Sequence, residues 1–343
     1  MKISGYMTCR NASQMGYPFI EALDSLVSFC DEIVVCDSSD GSDDTTSLLD
    51  DMKLLLETGP TGIKMKIVFP EDIDWSAPNH GIFDGMTKAI AREACTGDYC
   101  FQIDADEIVV TTREQIEEMI EVSGLNEENP LMASVVVEYW GSAGKVRIDV
   151  NPWKARLSLN LPHITHGIPI HMRQKINGLM YANHGTDGCD YIHKYDGTVI
   201  PCINFVKPKV EQVRQMAVSD ESYVPTYEAW FNKITDKMPT IYHYSWWSVY
   251  EKMLKYKLFW NNSWMSLYNE ERPPGYNPFF NKSFEEVTEE EMLEVARKIE
   301  SETGGHIFHK PWDGRKTNYV KIHKKPPSNI KEWADLHKTP GKQ

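Results

Sequence analysis

The sequence predicts an α/β fold with a mostly parallel sheet flanked by helices, followed by a helical C-terminal extension. Three observations predict it. Apolar runs of strand length alternate with helix-spaced runs between Ile3 and Ile103. One of these runs, Ile33-Val34-Val35-Cys36, is apolar throughout, as in strands covered on both faces of a parallel sheet. Polar and acidic residues gather where the strands stop, which is where ligands collect in such sheets.

The elements follow in order. Ile3 to Met7 is the first strand, and Thr8-Cys9-Arg10-Asn11 a polar loop after it. Pro18 opens a helix over Phe19 to Phe29. The second strand stops at Asp37-Ser38-Ser39-Asp40-Gly41-Ser42-Asp43-Asp44, whose Ser and Asp residues offer N-caps for a helix running to about Glu57. After the turn Gly59-Pro60-Thr61-Gly62 come a third strand, Lys64 to Phe69, a third helix, Gly81 to Cys95, and a fourth strand, Tyr99 to Ile103. A helix near Arg113 to Val122 and a β-forming run from Leu131 to Tyr139 follow. The stretch from Trp140 to His193 reads as short strands and turns. Helices are expected over Lys209 to Met216, Tyr227 to Ile234, Trp246 to Trp260 and Phe284 to Ile299, with Gly304-Gly305 stopping the last. The expected organisation is one α/β domain over 1–205, divided into halves at 110, and a mainly helical region over 206–343 that packs over the site.

Composition narrows the function. With 343 residues the chain can bury a sizeable core. A formal charge of -14 argues against general binding to nucleic acid or anionic membranes, but not against phosphate held through a metal ion. The seven cysteines include no Cys-x-x-Cys and several sit in apolar runs, which fits a reducing compartment. No signal peptide and no apolar run of membrane-spanning length is evident, so a soluble, cytoplasmic protein is the expectation. Dinucleotide-binding, P-loop, EF-hand and nucleophile-elbow signatures are absent.

What remains is Asp104-Ala105-Asp106-Glu107 at the end of the fourth strand, three acids within four positions. Crowded carboxylates repel one another unless a cation sits among them. In an extended segment Asp104 and Asp106 point the same way, and oxygen ligands of this kind suit Mg²⁺ or Mn²⁺ completed by substrate phosphates. The loops Thr8-Arg10, Asp37-Asp44 and Asp104-Glu107 would line one crevice.

Asp31 to Thr45, Asp-Glu-Ile-Val-Val-Cys-Asp-Ser-Ser-Asp-Gly-Ser-Asp-Asp-Thr, resembles the "DEIVVVDSGSTDGT" signature of family 2 glycosyltransferases of the GT-A fold. Gly97-Asp98-Tyr99 through Asp104-Ala105-Asp106-Glu107 resembles the same family's "GDY…LDADE", which contains its DxD metal motif. Asp74-Trp75 and the third helix fall where the family has them. Arg10-Asn11 with Tyr17-Pro18 is similar to a subgroup opening "RN…YP", and Tyr242-His243-Tyr244-Ser245-Trp246 with Lys252 and Lys255 to its "HYGW…K" segment, Ser245 replacing the usual Gly. The resemblance is dense over 1–110, patchy to about 260, and ends there.

It implies roles residue by residue. Asp37 would accept a hydrogen bond from a pyrimidine base, with capping of a turn as its plain alternative. Thr8, Arg10 and Ser39 would line the nucleotide pocket, and Lys88 or Arg92 could touch the donor from the third helix unless both are simply solvated. Asp104 would face the ribose and, through water, the metal, while Asp106 ligates the metal directly. His243 would be the third ligand or else a satisfied core histidine. Lys252 and Lys255, three apart on one helix face, could reach the diphosphate. Glu138 is the first candidate for the base that deprotonates the acceptor; Asp187 and Asp190 come next. The aromatics from Trp246 to Trp264 admit core packing, a sugar platform or membrane-surface attachment.

The expected activity is a metal-dependent, inverting transfer of a sugar from a nucleoside-diphosphate donor, UDP-linked, to an acceptor hydroxyl, with Mn²⁺ or Mg²⁺ as cofactor. Two other classes stay open: a sugar nucleotidyltransferase, although its Gly-rich phosphate loop is missing between Met7 and Phe19, and a non-catalytic nucleotide- or carbohydrate-binding protein of the same fold.

Overall fold

The computed structural model describes residues 1–71, 80–142, 144–148, 150–161, 174–176, 179–181, 191–193, 199–259, 280, 286–301 and 322–341. It is a mixed α/β fold with a mostly parallel sheet flanked by helices. The elements run β1 (Ile3–Cys9), α1 (Phe19–Leu26), β2 (Glu32–Asp37), α2 (Thr45–Thr58), β3 (Lys64–Val68), α3 (His80–Glu93), β4 (Tyr99–Gln102), β5 (Glu107–Val110), α4 (Arg113–Ser123), β6 (Leu131–Glu138), β7 (Lys145–Val146) and β8 (Trp153–Leu159). Four short strands follow, β9 (Gln174–Ile176), β10 (Leu179–Tyr181), β11 (Tyr191–His193) and β12 (Val199–Ile203). Then come α5 (Lys207–Ser219), α6 (Val224–Thr235), β13 (Thr240–His243) and α7 (Val249–Phe259), with further helices at Glu289–Ser301 and Lys331–Leu336.

Among the described residues the main sheet has the strand order β11-β12-β6-β8-β4-β1-β2-β3. Strands β3, β2, β1 and β4 pair in parallel, as the crossover helices require, while β8 runs antiparallel between β4 and β6. Strand β13 lies off this path, parallel to β6 and antiparallel to β5. Ile3, Met7, Ile33, Val35, Phe101, Val135, Val137 and Leu157 meet in one buried cluster beneath α1 and α2. Tyr6, Val34, Cys36 and Cys100 alternate to the opposite face and pack against Ala91 and Cys95 of α3 and the turn after it. Helix α4 starts at a capping box between Thr112 and Gln115 and ends at Gly124, which adopts φ 65°.

The expected elements over 3–138 are present with ends shifted by a few residues. β5, β12 and β13 have no counterpart among the expected strands, β8 is a seven-residue strand within the stretch 140–193 expected to hold short strands, and β13 belongs to the region from 206 onward. Among the described residues that region is helical apart from β13, which completes the sheet beside the acidic turn, and a two-residue strand at Ile322–His323 that pairs with β7. Asp74-Trp75, His163 to His171, Cys189, Trp260 to Trp264, Phe284 and Gly304-Gly305 lie outside the described residues. Among the described residues the cysteines are free and no helix is long and apolar enough to cross a membrane.

Glu32 ties the starts of β1 and β2 to the turn before β4. Its carboxylate accepts from Ser4 Oγ at 2.5 Å, Thr96 N at 2.5 Å, Thr96 Oγ1 at 2.6 Å and Lys2 Nζ at 3.0 Å. Burial pushes this carboxyl up, but those hydrogen bonds outweigh it and bring the pKa down to about 2. A carboxylate depressed by folding stabilises the native state above its unfolded value and loses that contribution as pH falls toward its folded one. Glu32→Gln is therefore expected to lower the melting temperature at pH 7. The gap to the parent is expected to narrow between pH 4.5 and 2, a trend that thermal denaturation across that range checks.

Candidate active site

The acidic stretch is a turn, not the extended segment the alternation argument assumed. Glu107 N donates to Asp104 O at 3.0 Å and closes it, so the two aspartates face different partners. Asp104 turns toward α3 and β8. Its Oδ1 meets Lys88 Nζ at 2.7 Å and accepts from Gln102 Nε2 at 2.9 Å, while its Oδ2 meets Arg156 Nη2 at 2.9 Å. Asp106 turns toward β13, where its Oδ1 lies 3.4 Å from His243 Nε2.

Strand β8 explains the first arrangement. Its sequence Trp-Lys-Ala-Arg-Leu-Ser-Leu places Lys154, Arg156 and Ser158 on one face and Trp153, Ala155 and Leu157 on the other. The polar face is covered, not solvated: Arg156 is 3% exposed. Its guanidinium reaches Gln102 Oε1, Asp104 Oδ2 and Glu107 Oε1, the last at 2.6 Å. Lys154 Nζ lies 3.4 Å from Glu107 Oε1 and 3.9 Å from Glu138 Oε2. Ser158 Oγ accepts from Arg92, which is thus a buried sheet-side cation. Lys154 and Arg156 were not among the expected site residues, although the alternation in 153–159 marks them, and Glu107, expected only as part of a crevice-lining loop, is fully buried.

Strand β13 explains the second. Its register sets His243 opposite Glu107 on β5 and Glu138 on β6, giving one row of ionisable groups across three strands. Main-chain bonds fix the row, since Tyr139 N donates to His243 O at 3.2 Å and Tyr244 N to Asp106 O at 2.8 Å. His243 Nδ1 is 2.6 Å from Glu138 Oε2. Burial and the Lys154 charge push the imidazole down, but Glu138 and Asp106 outweigh them and raise it to about 9. In return, against the upward push of burial, the His243 and Lys154 charges lower Glu138 to about 2, and His243 and Lys252 hold Asp106 well below the usual carboxylate range. For Asp104 the opposing charges are Lys88 and Arg156, and its carboxyl is likewise held low.

The remaining expected residues surround this centre. Thr8 Oγ1 donates to Thr87 Oγ1 on α3 at 3.0 Å. Asn11, in the left-handed region at φ 44°, and Arg10 lock the first loop to the second. Arg10 Nη1 donates to Ser38 O at 2.7 Å and Nη2 pairs with Asp40 at 3.2 Å, while Ser39 Oγ accepts from Asn11 N at 2.9 Å. Asp37 is 1% exposed, and its carboxylate accepts from Ser39 N at 2.9 Å and Thr46 Oγ1 at 2.6 Å, the geometry of a capped turn. Lys88 also pairs with Asp84 at 3.0 Å. Lys252 Nζ donates to Ser245 Oγ at 2.5 Å and lies over the Trp246 ring, whereas Lys255 Nζ stands 4.3 Å from the Tyr17 ring centroid. Burial and the Lys252 charge bring Lys255 down to about 8. Trp246 and Trp247 are buried core residues. Asp187 and Asp190 lie outside the described residues.

Among the described residues no cluster of three or more His, Cys, Asp and Glu side chains has the arrangement of a metal site. Asp106 and His243 nevertheless fit as a ligand pair. Their facing atoms are farther apart than a good N–H···O bond, and neighbouring ligands of an octahedral ion at about 2.1 Å each stand about 3 Å apart. Asp104, Glu107 and Glu138 are instead neutralised by side chains of the protein.

No family model and no curated protein matches the chain. Solved structures resemble it in part. S. aureus TarS in complex with UDP aligns at 14% identity over 47% of this chain and 47% of that one, with a TM-score of 0.30, so the chain spans about half of its length. A mannosyltransferase from Pyrobaculum calidifontis in complex with GDP-Man and Mn²⁺ aligns at 18% identity over 41% of this chain and 36% of that one, with a TM-score of 0.28. Glucosyl-3-phosphoglycerate synthase from Mycobacterium tuberculosis, in complex with Mn²⁺, UDP and phosphoglyceric acid, aligns at 19% identity over 40% and 43%, with a TM-score of 0.25. The likeness is low by both measures.

Proposed function

We propose that the chain is a metal-dependent glycosyltransferase of the GT-A type that moves a sugar from a UDP-linked donor to an acceptor hydroxyl. One observation carries this reading: at the carboxyl ends of β4 and β13, Asp106 and His243 face each other with Lys252 near them, beside the two loops that end β1 and β2. A divalent cation held by Asp106 and His243 would supply Lewis-acid neutralisation of the departing diphosphate. Lys252 and Lys255 add positive charge on the α7 side, where the leaving group's negative charge grows. Asp104 acts through its partners, since Lys88 and Arg156 hold its carboxylate in place. Thr8, Arg10, Asp37 and Ser39 shape the two loops that would receive the base and ribose.

The acceptor hydroxyl must lose a proton as it attacks. Glu138, the first candidate for that base, has its Oε2 2.6 Å from His243 Nδ1, and we assign the role instead to Asp187 or Asp190. The test is incubation with a panel of UDP- and GDP-linked sugars, an acceptor mixture and Mn²⁺. The expected result is release of nucleoside diphosphate that stops on adding EDTA and resumes with excess Mn²⁺. Nucleotide-sugar synthesis from UTP, or metal-dependent UDP binding without turnover of any donor, would contradict it.

A further inference from the structure

We propose that Glu138 is a positioning residue for the metal site: it holds the His243 ring so that Nε2 points at the cation position beside Asp106. The inference rests on the metal-site reading above and concerns this chain's own residues. A carboxylate can only accept, so the 2.6 Å contact with Glu138 Oε2 places a proton on His243 Nδ1. Nε2 faces Asp106 Oδ1 and carries a proton while the imidazole is charged in the metal-free protein; a cation bound there would displace that proton and take the Nε2 lone pair. Metal-bound histidines characteristically donate their second ring N–H to a carboxylate, which fixes both the ring and its tautomer.

The surroundings leave Nδ1 no competing acceptor among the contacts seen. Lys154 Nζ is 3.4 Å from Nδ1, but an ammonium has no lone pair to offer and instead lies between Glu107 and Glu138. The backbone also keeps the pair together, because Glu138 and His243 are register partners on adjacent parallel strands. A base must keep an oxygen available to an incoming hydroxyl. Glu138 is buried and spends its short contact on the imidazole, which suits an orienting group better than a proton acceptor.

Mn²⁺ binding read by electron paramagnetic resonance, in the presence of saturating UDP, separates the roles without using turnover. Glu138→Ala is expected to weaken Mn²⁺ binding 10–100-fold, the usual effect of removing such a partner, while UDP affinity without metal stays at the parent value. Glu138→Gln, which keeps the volume and one accepting oxygen, is expected to recover part of the loss and serves as the deciding variant if the alanine protein does not fold. Parent-like Mn²⁺ affinity in either folded variant overturns the proposal, and loss of turnover with that affinity intact would return Glu138 to the role of base. If the parent protein itself binds no Mn²⁺ with UDP present, the metal-site reading fails first and this assignment falls with it.

Discussion

Arg156→Met is expected to cost about 3–5 kcal/mol of folding stability, the range seen when one partner of a buried ion pair is removed. The guanidinium is almost fully buried and serves Gln102, Asp104 and Glu107 at once. Methionine fills much of the volume but leaves Glu107 buried with Lys154 as its remaining cation, at 3.4 Å. It also releases Oδ2 of Asp104, so the turn that carries Asp106 loses its brace. Glu107→Gln in the same background is expected to return part of the stability, because it removes the charge that Arg156 neutralised. Chemical denaturation of the two single variants and the double variant measures this coupling. Additive losses would mean that the ion pair does not hold the turn.

Asp106→Asn is expected to lower turnover about 10³-fold and also to lower the melting temperature at pH 7, since it gives up the ionised carboxylate that His243 and Lys252 favour. The amide is isosteric, and the fold contact of this residue is its carbonyl, which accepts from Tyr244 N irrespective of the side chain. What changes is the charge offered to a cation and the electrostatic partner of His243. A thousandfold loss corresponds to about 4 kcal/mol of transition-state stabilisation, within reach of a lost Lewis acid. Turnover of Asp106→Asn across a Mn²⁺ titration gives the answer. Near-parental rates at low Mn²⁺ would remove Asp106 from the metal site.

Much of the fold was legible because 3–103 obeys local rules. Runs such as Ile33-Val34-Val35-Cys36 admit few structures other than a covered strand, and the intervening stretches carry helix spacing and turn residues. The strands that were missed break those rules for physical reasons. β5 and β13 are four residues each, too short for a periodic signal, and β5 begins with Glu107, which reads as part of an acidic loop. β8 lies in a stretch expected to hold short strands and alternates clearly, but an alternating strand usually turns its charged face to water. Here Lys154 and Arg156 turn inward because the carboxylate of Glu107, 47 residues before the one and 49 before the other, is waiting there. Nothing local in 153–159 announces that partner.

The site divides along the same line. Asp104 and Asp106 could be named from their crowding, yet their separation into an ion-paired residue and a metal-facing one depends on the turn closed by Glu107. His243 and Lys252 were named from a family resemblance, not from any spacing of their own. Glu138 was placed at the right strand end, but its partner lies 105 residues away across a strand that the reading lacked. Long-range register, here His243 opposite Glu107 and Glu138, is what sequence periodicity does not carry.

The central claim is that Asp106 and His243 together hold a divalent cation to which a nucleoside diphosphate is tethered. Crystals soaked with Mn²⁺ and UDP, with data collected at the manganese absorption edge, test it most directly. The account predicts one anomalous peak bonded to Asp106 Oδ1, His243 Nε2 and the UDP phosphates, with Asp104 still on Lys88 and Arg156. A UDP-bound crystal with no peak there, or a peak held by Asp104 with His243 turned away, would contradict it.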